Sequence, residues 1–336
     1  MEKKGVIKEE EESFTKRFFV ALNHRLEQNS QNKYRFWIYV CGYVIELRFP
    51  SKEHADLVER RLVGQIIREE ENADFIFQFW TEDYASYIGG ENASKNFEYE
   101  DENGYMRSVA NKSLLGADLS ERMFYYCRHK LNTDPYWEHL LFSRWARAVD
   151  MMLVHGAVVG ADGKGVLITA QGGGGKSTLS ISCMLAGMDF VSDDYFLANR
   201  YGALQAFSLY KIVKLHVDMA EQIQPNLPVV WRDAARNGKQ TLDVSGCRIC
   251  PKLPVNAILI PKVTENEEPE IIKAIQGEAI NEVIHSTLKQ AGIFDYRKEA
   301  RNMLLRFYGL PVYEIQLSKD LSKNVKILHR FIEREM

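Results

Sequence analysis

The chain has no stretch of eighteen uninterrupted apolar residues in its 336 positions, so the sequence offers no candidate for a membrane-spanning helix. Its first fourteen residues are highly charged and lack an apolar centre, and no secretory signal is expected there. Charge of one sign is missing as well. The 43 Lys and Arg stand against 46 Asp and Glu, a formal charge of −3, without the basic excess that a nucleic-acid binder concentrates against phosphates. Cysteine is sparse: five residues, an odd number at irregular spacing, fit reduced thiols in the cytoplasm better than a disulfide framework. There is no internal repeat and no extended low-complexity segment. These absences lead to the expectation of a soluble cytoplasmic protein with neither nucleic acid nor membrane as a partner.

What is present is apolar content of 46%, enough for sizeable cores, in a length that favours two domains. The boundary is expected near residue 134, with an α+β domain over 1–134 and an α/β domain over 135–336 that begins with a connecting helix at 136–151. The first domain reads as a β-hairpin over 34–49 turning at Cys41 and Gly42, a helix from Pro50 and Ser51 to about Leu62, a strand at 74–80, and more β structure over 107–126. No motif in it carries chemistry. Acceptor recognition, oligomerisation and plain support of the second domain are all open to it.

The second domain holds the most informative segment. Gln171, Gly172, Gly173, Gly174, Gly175, Lys176, Ser177 and Thr178 directly follow the strand-like Val166, Leu167, Ile168, Thr169 and Ala170. Glycines let the backbone turn so that several N–H groups face one phosphate, and the helix that follows adds the positive end of its dipole. Lys176 would reach the β- and γ-phosphates and the Ser177 hydroxyl would hold Mg²⁺. The usual pattern starts with Gly where this chain has Ala170, a residue still small enough for the turn. The bland alternative is a flexible linker that happens to precede a helix.

The helix is expected over 176–186, stopped by Gly187, and a short strand over 188–192. If that strand runs parallel to the one before the glycines, Asp193 and Asp194 emerge beside the phosphates. Residues 152–159 and 165–170 flank a turn and should form a hairpin. Pairing Gly160 with Gly165 puts His155 opposite Ala170, which makes His155 either an ordinary core histidine or a partner for a nearby carboxylate. The stretch 224–239, with Trp231, Arg232, Arg236 and Lys239, has the composition of a mobile basic loop. It reads as a lid with Lys239 or Arg232 on the transferring phosphate, or as a solvated loop. The lone Cys247 and Cys250 pair reads as structural, because zinc needs two more ligands and Pro251 prevents the helix start that a redox pair prefers. Beyond it, helices are expected at 278–290, 299–308 and 321–334 and strands at 257–260 and 312–317, which keeps this domain in the α/β class.

The runs Val154, His155, Gly156, Ala157; Gly165, Val166, Leu167, Ile168; Gly173, Gly174, Gly175, Lys176, Ser177; and Val191, Ser192, Asp193, Asp194 resemble the catalytic core of HPr kinase/phosphorylase and its related serine kinases, relatives of the nucleotide-dependent phosphoenolpyruvate carboxykinases. The resemblance spans roughly residues 150–200. It implies a P-loop nucleotide-binding core with a mixed sheet. It also implies Asp193 as general base toward the acceptor hydroxyl, Asp194 as a metal ligand beside Ser177, and His155 in contact with the base. The expected function is an ATP- and Mg²⁺-dependent kinase acting on a hydroxyl, such as serine, of a protein, peptide or small molecule. A nucleotide-binding regulatory or scaffold module without transfer chemistry is the alternative from another class.

Overall fold

The structure is a computed structural model that describes residues 14–29, 31–63, 65–67, 72–81, 98–109, 113–128, 138–170, 172–223, 227–232, 238–290 and 296–336. The chain divides into two compact units. One comprises Met1–Ala55 and Ile66–Asp134, the other Asp56–Gln65 and Pro135–Met336.

In chain order, the elements from the start of the chain to the end of the first unit are α1 (Phe14–Gln28), β1 (Tyr34–Val40), β2 (Tyr43–Phe49), α2 (Lys52–Glu59), β3 (Gln65–Ile67), β4 (Phe75–Trp80), β5 (Glu98–Glu100), β6 (Gly104–Val109), β7 (Ser113–Asp118) and β8 (Met123–Arg128). The division between units passes through α2 and β3. The eight strands form one mixed sheet in the order β3-β1-β2-β4-β8-β7-β6-β5, with β2, β4 and β8 parallel. Cys41 and Gly42 both have positive φ, the left-handed pair that a two-residue hairpin turn requires, so Val40 pairs with Tyr43 and the 34–49 hairpin closes in register.

Helix α1 has no counterpart among the elements expected from the sequence. Phe19, Leu22 and Leu26 recur at helical spacing and pack against Trp80, Met106, Leu114 and Tyr125. Phe19 stacks on Tyr125 at 4.7 Å between ring centroids. The close approach needs glycine below it, since a Cβ on Gly116 would stand 2.9 Å from the Phe19 ring.

The second unit contains α3 (His139–Ala148), β9 (Met151–His155), β10 (Ala157–Ala161), β11 (Lys164–Ile168), α4 (Lys176–Leu185), β12 (Asp189–Ser192), β13 (Tyr195–Asn199), β14 (Gln205–Ser208), β15 (Ile212–His216), α5 (Val217–Ile223), β16 (Val229–Arg232), β17 (Lys239–Asp243), β18 (Lys252–Val263), β19 (Glu270–Lys273), α6 (Gln276–Gln290), α7 (Tyr296–Phe307), β20 (Val312–Leu317) and α8 (Leu321–Glu335). Nine strands make a mixed sheet in the order β12-β10-β11-β18-β14-β13-β9, with β20 beside the far half of β18 and β19 beside β20. Side-chain alternation splits its core by face. Val159, Val166 and Ile168 meet Leu179 and Cys183 of α4 and Leu328 and Ile332 of α8. Val158, Leu167 and Ile258 meet Ile280, Val283 and Leu288 of α6 and Phe307 of α7. Each such side chain contributes roughly 1.5–3 kcal/mol by leaving water. A separate three-stranded sheet, β15-β17-β16, joins the α4 side through Val213, Leu215 and Leu242.

Three details position the site. Strands β11 and β12 are each antiparallel to β10, which lies between them, so they run the same way and end on the same sheet edge. Helix α4 connects them. The β10/β11 hairpin has the expected register, Gly160 opposite Gly165. The register does not continue to His155. The chain breaks at Gly156 and β9 crosses to pair with β13, which places His155 opposite Tyr195 instead of Ala170. The physical reason is local: a Cβ at Gly156 would stand 2.6 Å from Leu167 Cδ1, and the Gly156 N–H is taken by the Asp194 carbonyl at 2.9 Å.

The 224–239 stretch differs from the loop expected. Val229–Arg232 and Lys239–Asp243 are antiparallel strands, and Trp231 and Arg232 belong to the first of them. Residues 224–226 and 233–237 of the expected lid lie outside the described residues.

Candidate functional site

The site begins with backbone conformation. After β11 the chain passes through exposed Gly172 and Gly173 to Gly175, and both Gly173 and Gly175 have φ +87°. L side chains rarely adopt that region. A Cβ on Gly175 would also stand 2.8 Å from Leu317 Cδ1 of β20, so steric space as well as φ demands glycine there. Helix α4 starts at Lys176, with Leu179 N–H donating to the Gly175 carbonyl. Lys176, Ser177 and Thr178 form its first turn, where N–H groups have no intrahelical acceptor and the dipole is positive.

Asp193 and Asp194 follow β12 on the same sheet edge, and they have different partners and exposure. Asp193 has no exposed side-chain surface. Its Oδ1 accepts from Ser180 Oγ at 3.2 Å and its Oδ2 from the Lys214 backbone N–H at 3.1 Å. The Ser180 hydroxyl also reaches the Ser177 carbonyl at 3.2 Å, which ties Asp193 to the first turn of α4. Asp194 keeps 15% of its side-chain surface exposed. His155 Nε2 lies 2.9 Å from its Oδ1, and Lys214 Nζ donates to its Oδ2 at 3.3 Å. Lys176 Nζ donates to the Asp193 carbonyl and lies 3.9 Å from Asp193 Oδ1 and 3.8 Å from Asp194 Oδ1.

Burial alone would push the Asp194 carboxyl upward. The Lys214 charge, the His155 hydrogen bond and charge, and the Lys176 charge outweigh it and hold Asp194 well below the usual carboxylate range. The group is therefore an anion at neutral pH, as a base or a metal ligand must be. His155 is itself held in place: its backbone N–H donates to Thr287 Oγ1 at 2.9 Å, and its ring lies against Tyr195, which in turn stacks on His139.

The contact between histidine and carboxylate thus falls on Asp194, whereas the family resemblance implies contact with the base, Asp193. The reason is that Ser180 and the Lys214 amide already claim the Asp193 oxygens and turn that side chain toward α4. Lys176, Asp193, Asp194 and His155 converge within hydrogen-bonding or ion-pair distance of one another's groups. Ser177 and Thr178 stand half-buried at the same helix start. Gln171 lies outside the described residues. Arg232 closes β16, and nothing of its side chain is described. Lys239 pairs with His216 on β15, two residues along from Lys214 and on the same face of that sheet.

The sequence reading missed one member of the cluster. Lys214, twenty residues after Asp194, touches both carboxylates, one through its amide and one through its ammonium. Spacing gives Lys214 no role in the site, since nothing in the chain order shows that β15 returns to the end of β12.

Mg²⁺ takes oxygen ligands, one or two carboxylates together with phosphate oxygens and waters. The Ser177 hydroxyl with the Asp193 and Asp194 carboxylates is an oxygen donor set of that kind, and the residues fit the ion. Among the described residues no group of three or more His, Cys, Asp and Glu side chains could hold a metal by itself. Cys247 and Cys250 are half-buried free thiols whose pKa is raised, first by burial, and this keeps them protonated.

The chain is therefore a mixed α/β protein of two units, the larger carrying a carboxylate pair, one buried and one partly exposed, bracketed by two lysines. No family model matches it, and no curated protein matches it. Among solved structures it is similar to the HPr(Ser) kinase/phosphatase from Coxiella burnetii, at 14% identity over 55% of this chain and 95% of that one, with a TM-score of 0.28. At that level the likeness transfers neither fold detail nor activity. Among the described residues no helix is long and apolar enough to cross a membrane.

Proposed function

We propose that the second unit transfers the γ-phosphate of ATP to a hydroxyl group, such as a serine side chain, of a protein, peptide or small molecule. The observation that carries this reading is the convergence of Lys176, at the start of the helix after the glycines, with two carboxylates and a histidine. Phosphoryl transfer needs cations and N–H groups on the phosphates and one group to guide the acceptor proton, and those are the groups present. The glycine-rich segment would act as a P-loop, with the N–H groups of Gly173 to Thr178 and the Lys176 ammonium on the phosphates.

The geometry favours an exchange of the two Asp roles implied by the family resemblance. Asp194 is the more exposed and is oriented by His155 Nε2, so it is the carboxylate suited to accept the proton of the acceptor hydroxyl. Asp193 is fixed to α4 beside Ser177, and these two would hold Mg²⁺, which supplies charge neutralisation on the phosphates when bound. Lys239 and Arg232, on β17 and β16, remain candidates for contact with the transferring group. The first unit would serve acceptor recognition or oligomerisation.

A second reading is a nucleotide-binding regulatory module. One observation favours it: each Asp194 oxygen already has a partner from the protein, His155 on one side and Lys214 on the other. The test is γ-labelled ATP with Mg²⁺, offered to serine, serine-containing peptides and desalted cell extract. Label should reach an acceptor with wild type and with neither Lys176→Ala nor Asp194→Asn, while Asp194→Asn still binds nucleotide. Full transfer by Asp194→Asn together with loss in Asp193→Asn would restore the roles implied by the resemblance. Nucleotide binding with no labelled acceptor would favour the regulatory module.

A further inference from the structure

We propose that Lys214 is a second phosphate-binding lysine of this site, the one that meets the terminal phosphoryl group of a nucleoside triphosphate. It rests on the nucleotide reading given above and adds a residue and a selectivity to it. Lys214 and Lys176 approach Asp194 from opposite oxygens, at 3.3 Å from Oδ2 and 3.8 Å from Oδ1. One ammonium comes from the helix that follows the glycines, the other from β15 of the separate three-stranded sheet. The Lys214 backbone N–H is bonded to Asp193 Oδ2, so the strand carrying the side chain is pinned to the carboxylate pair and its reach is fixed.

Three features distinguish this lysine from a purely structural clamp. Its side chain is 27% exposed, against 15% for Asp194 and 12% for Lys176, which makes it the most solvent-accessible of the three. Its chemistry is that of a flexible point charge, able to exchange a carboxylate oxygen for a phosphate oxygen, where a static clamp is better served by the arginine fork. Its face of the sheet continues outward through His216 and, directly opposite that residue, Lys239. Even with Mg²⁺ counted, a triphosphate beside two carboxylates carries more negative charge than Lys176 balances, and like charges a few ångströms apart in a partly buried site repel strongly. Since Lys176 stands at the helix N-terminus with the glycine-loop amides, the group left for Lys214, on the far side of Asp194, is the terminal phosphoryl.

The prediction separates nucleotides by that group. Calorimetric titration of ADP and of the β,γ-imido analogue of ATP, each with Mg²⁺, would compare wild type with Lys214→Met, Lys214→Arg and Lys176→Met. Lys214→Met should weaken the triphosphate analogue roughly tenfold or more while ADP stays within about threefold, with Lys214→Arg recovering most of the loss. Lys176→Met should weaken both ligands. Equal loss for ADP and analogue in Lys214→Met, or no loss for either, would overturn the assignment. Lys214→Gln, which can still hydrogen-bond Asp194, makes the same comparison if the methionine variant does not fold. Failure of wild type to bind either nucleotide would overturn the underlying nucleotide reading, an outcome distinct from wild-type binding without γ-phosphate selectivity at Lys214.

Discussion

Each unit sets a carboxylate among cations, and the two arrangements differ in kind. In the first unit, Glu46 of β2 is held by Arg48, whose Nε and Nη2 each make a 2.8 Å bond to a different carboxylate oxygen, with Arg35 alongside. In the second, Asp194 is held by a histidine and two lysines. Arginine is always charged and fits a carboxylate as a planar fork, which suits a fixed pair on a strand. Lysine and histidine can change partner or protonation, which suits a group that must receive a ligand. The second unit also has a fixed arginine pair, Arg61 with Glu138 at 3.0 Å, so the contrast is one between Glu46 and Asp194. Around α1 the first unit is an aromatic core of Phe19, Trp80 and Tyr125, while the second spends buried volume on Asp193, His155 and Ser180.

The comparison can be broken most directly at the two carboxylates. Asp194→Asn should lower phosphoryl transfer by about 10³-fold, within the usual range for loss of a positioned general base, with nucleotide affinity kept; steady-state kinetics and titration check both. Phe19→Ala should cost about 3–5 kcal/mol of stability through the cavity it leaves beneath α1. Hydrogen exchange should register the loss in the first unit while nucleotide binding stays unchanged. Glu46→Gln should cost about 1–3 kcal/mol, because the charge-assisted fork is lost while transfer continues; a rate loss comparable to that of Asp194→Asn would remove the contrast.

The effect of pH sharpens the same contrast. Burial lowers His54 from 6.5 to about 4, and Ser51 Oγ lies 2.6 Å from its Nδ1. The unfolded chain binds this proton more readily than the folded one. Stability linked to His54 is therefore fully present above about pH 6.5 and falls as pH drops toward 4, by an amount on the order of 2–3 kcal/mol. Denaturant unfolding across that range should show the slope in wild type and a flatter one in His54→Gln. Asp194 works in a lower window: its depressed carboxyl contributes stability above the ordinary Asp value of 3.8, and that contribution is lost as pH falls further.

Much of the local structure was legible in the sequence because it is encoded by neighbours in the chain. Cys41 and Gly42 announce a tight turn, and β1 and β2 close around it in register. Glycines before Lys176 announce a left-handed entry into a helix, which begins at Lys176. The apolar face of Ile280, Val283, Ile284 and Leu288 announces a helix that is found at Gln276–Gln290. Helix α1 escaped notice because its charged flanks and mean composition hide a stripe that only its packing against β6 and β7 makes evident.

By itself the sequence determined the glycine turn, the helix that follows it, the β10/β11 register and the presence of an acidic pair after β12, since propensity, turn chemistry and hydrophobic period act over a few residues. Only the tertiary structure decided which acid His155 meets and which cations bracket it. The pairing changes at Gly156, where β9 leaves off and joins β13, and His155 then faces Asp194. Strand β15, from another sheet, returns to bring Lys214 onto both carboxylates. Those contacts depend on the close approach that Gly156 permits and on strand pairing across long sequence separations, neither of which leaves a period or a spacing in the chain.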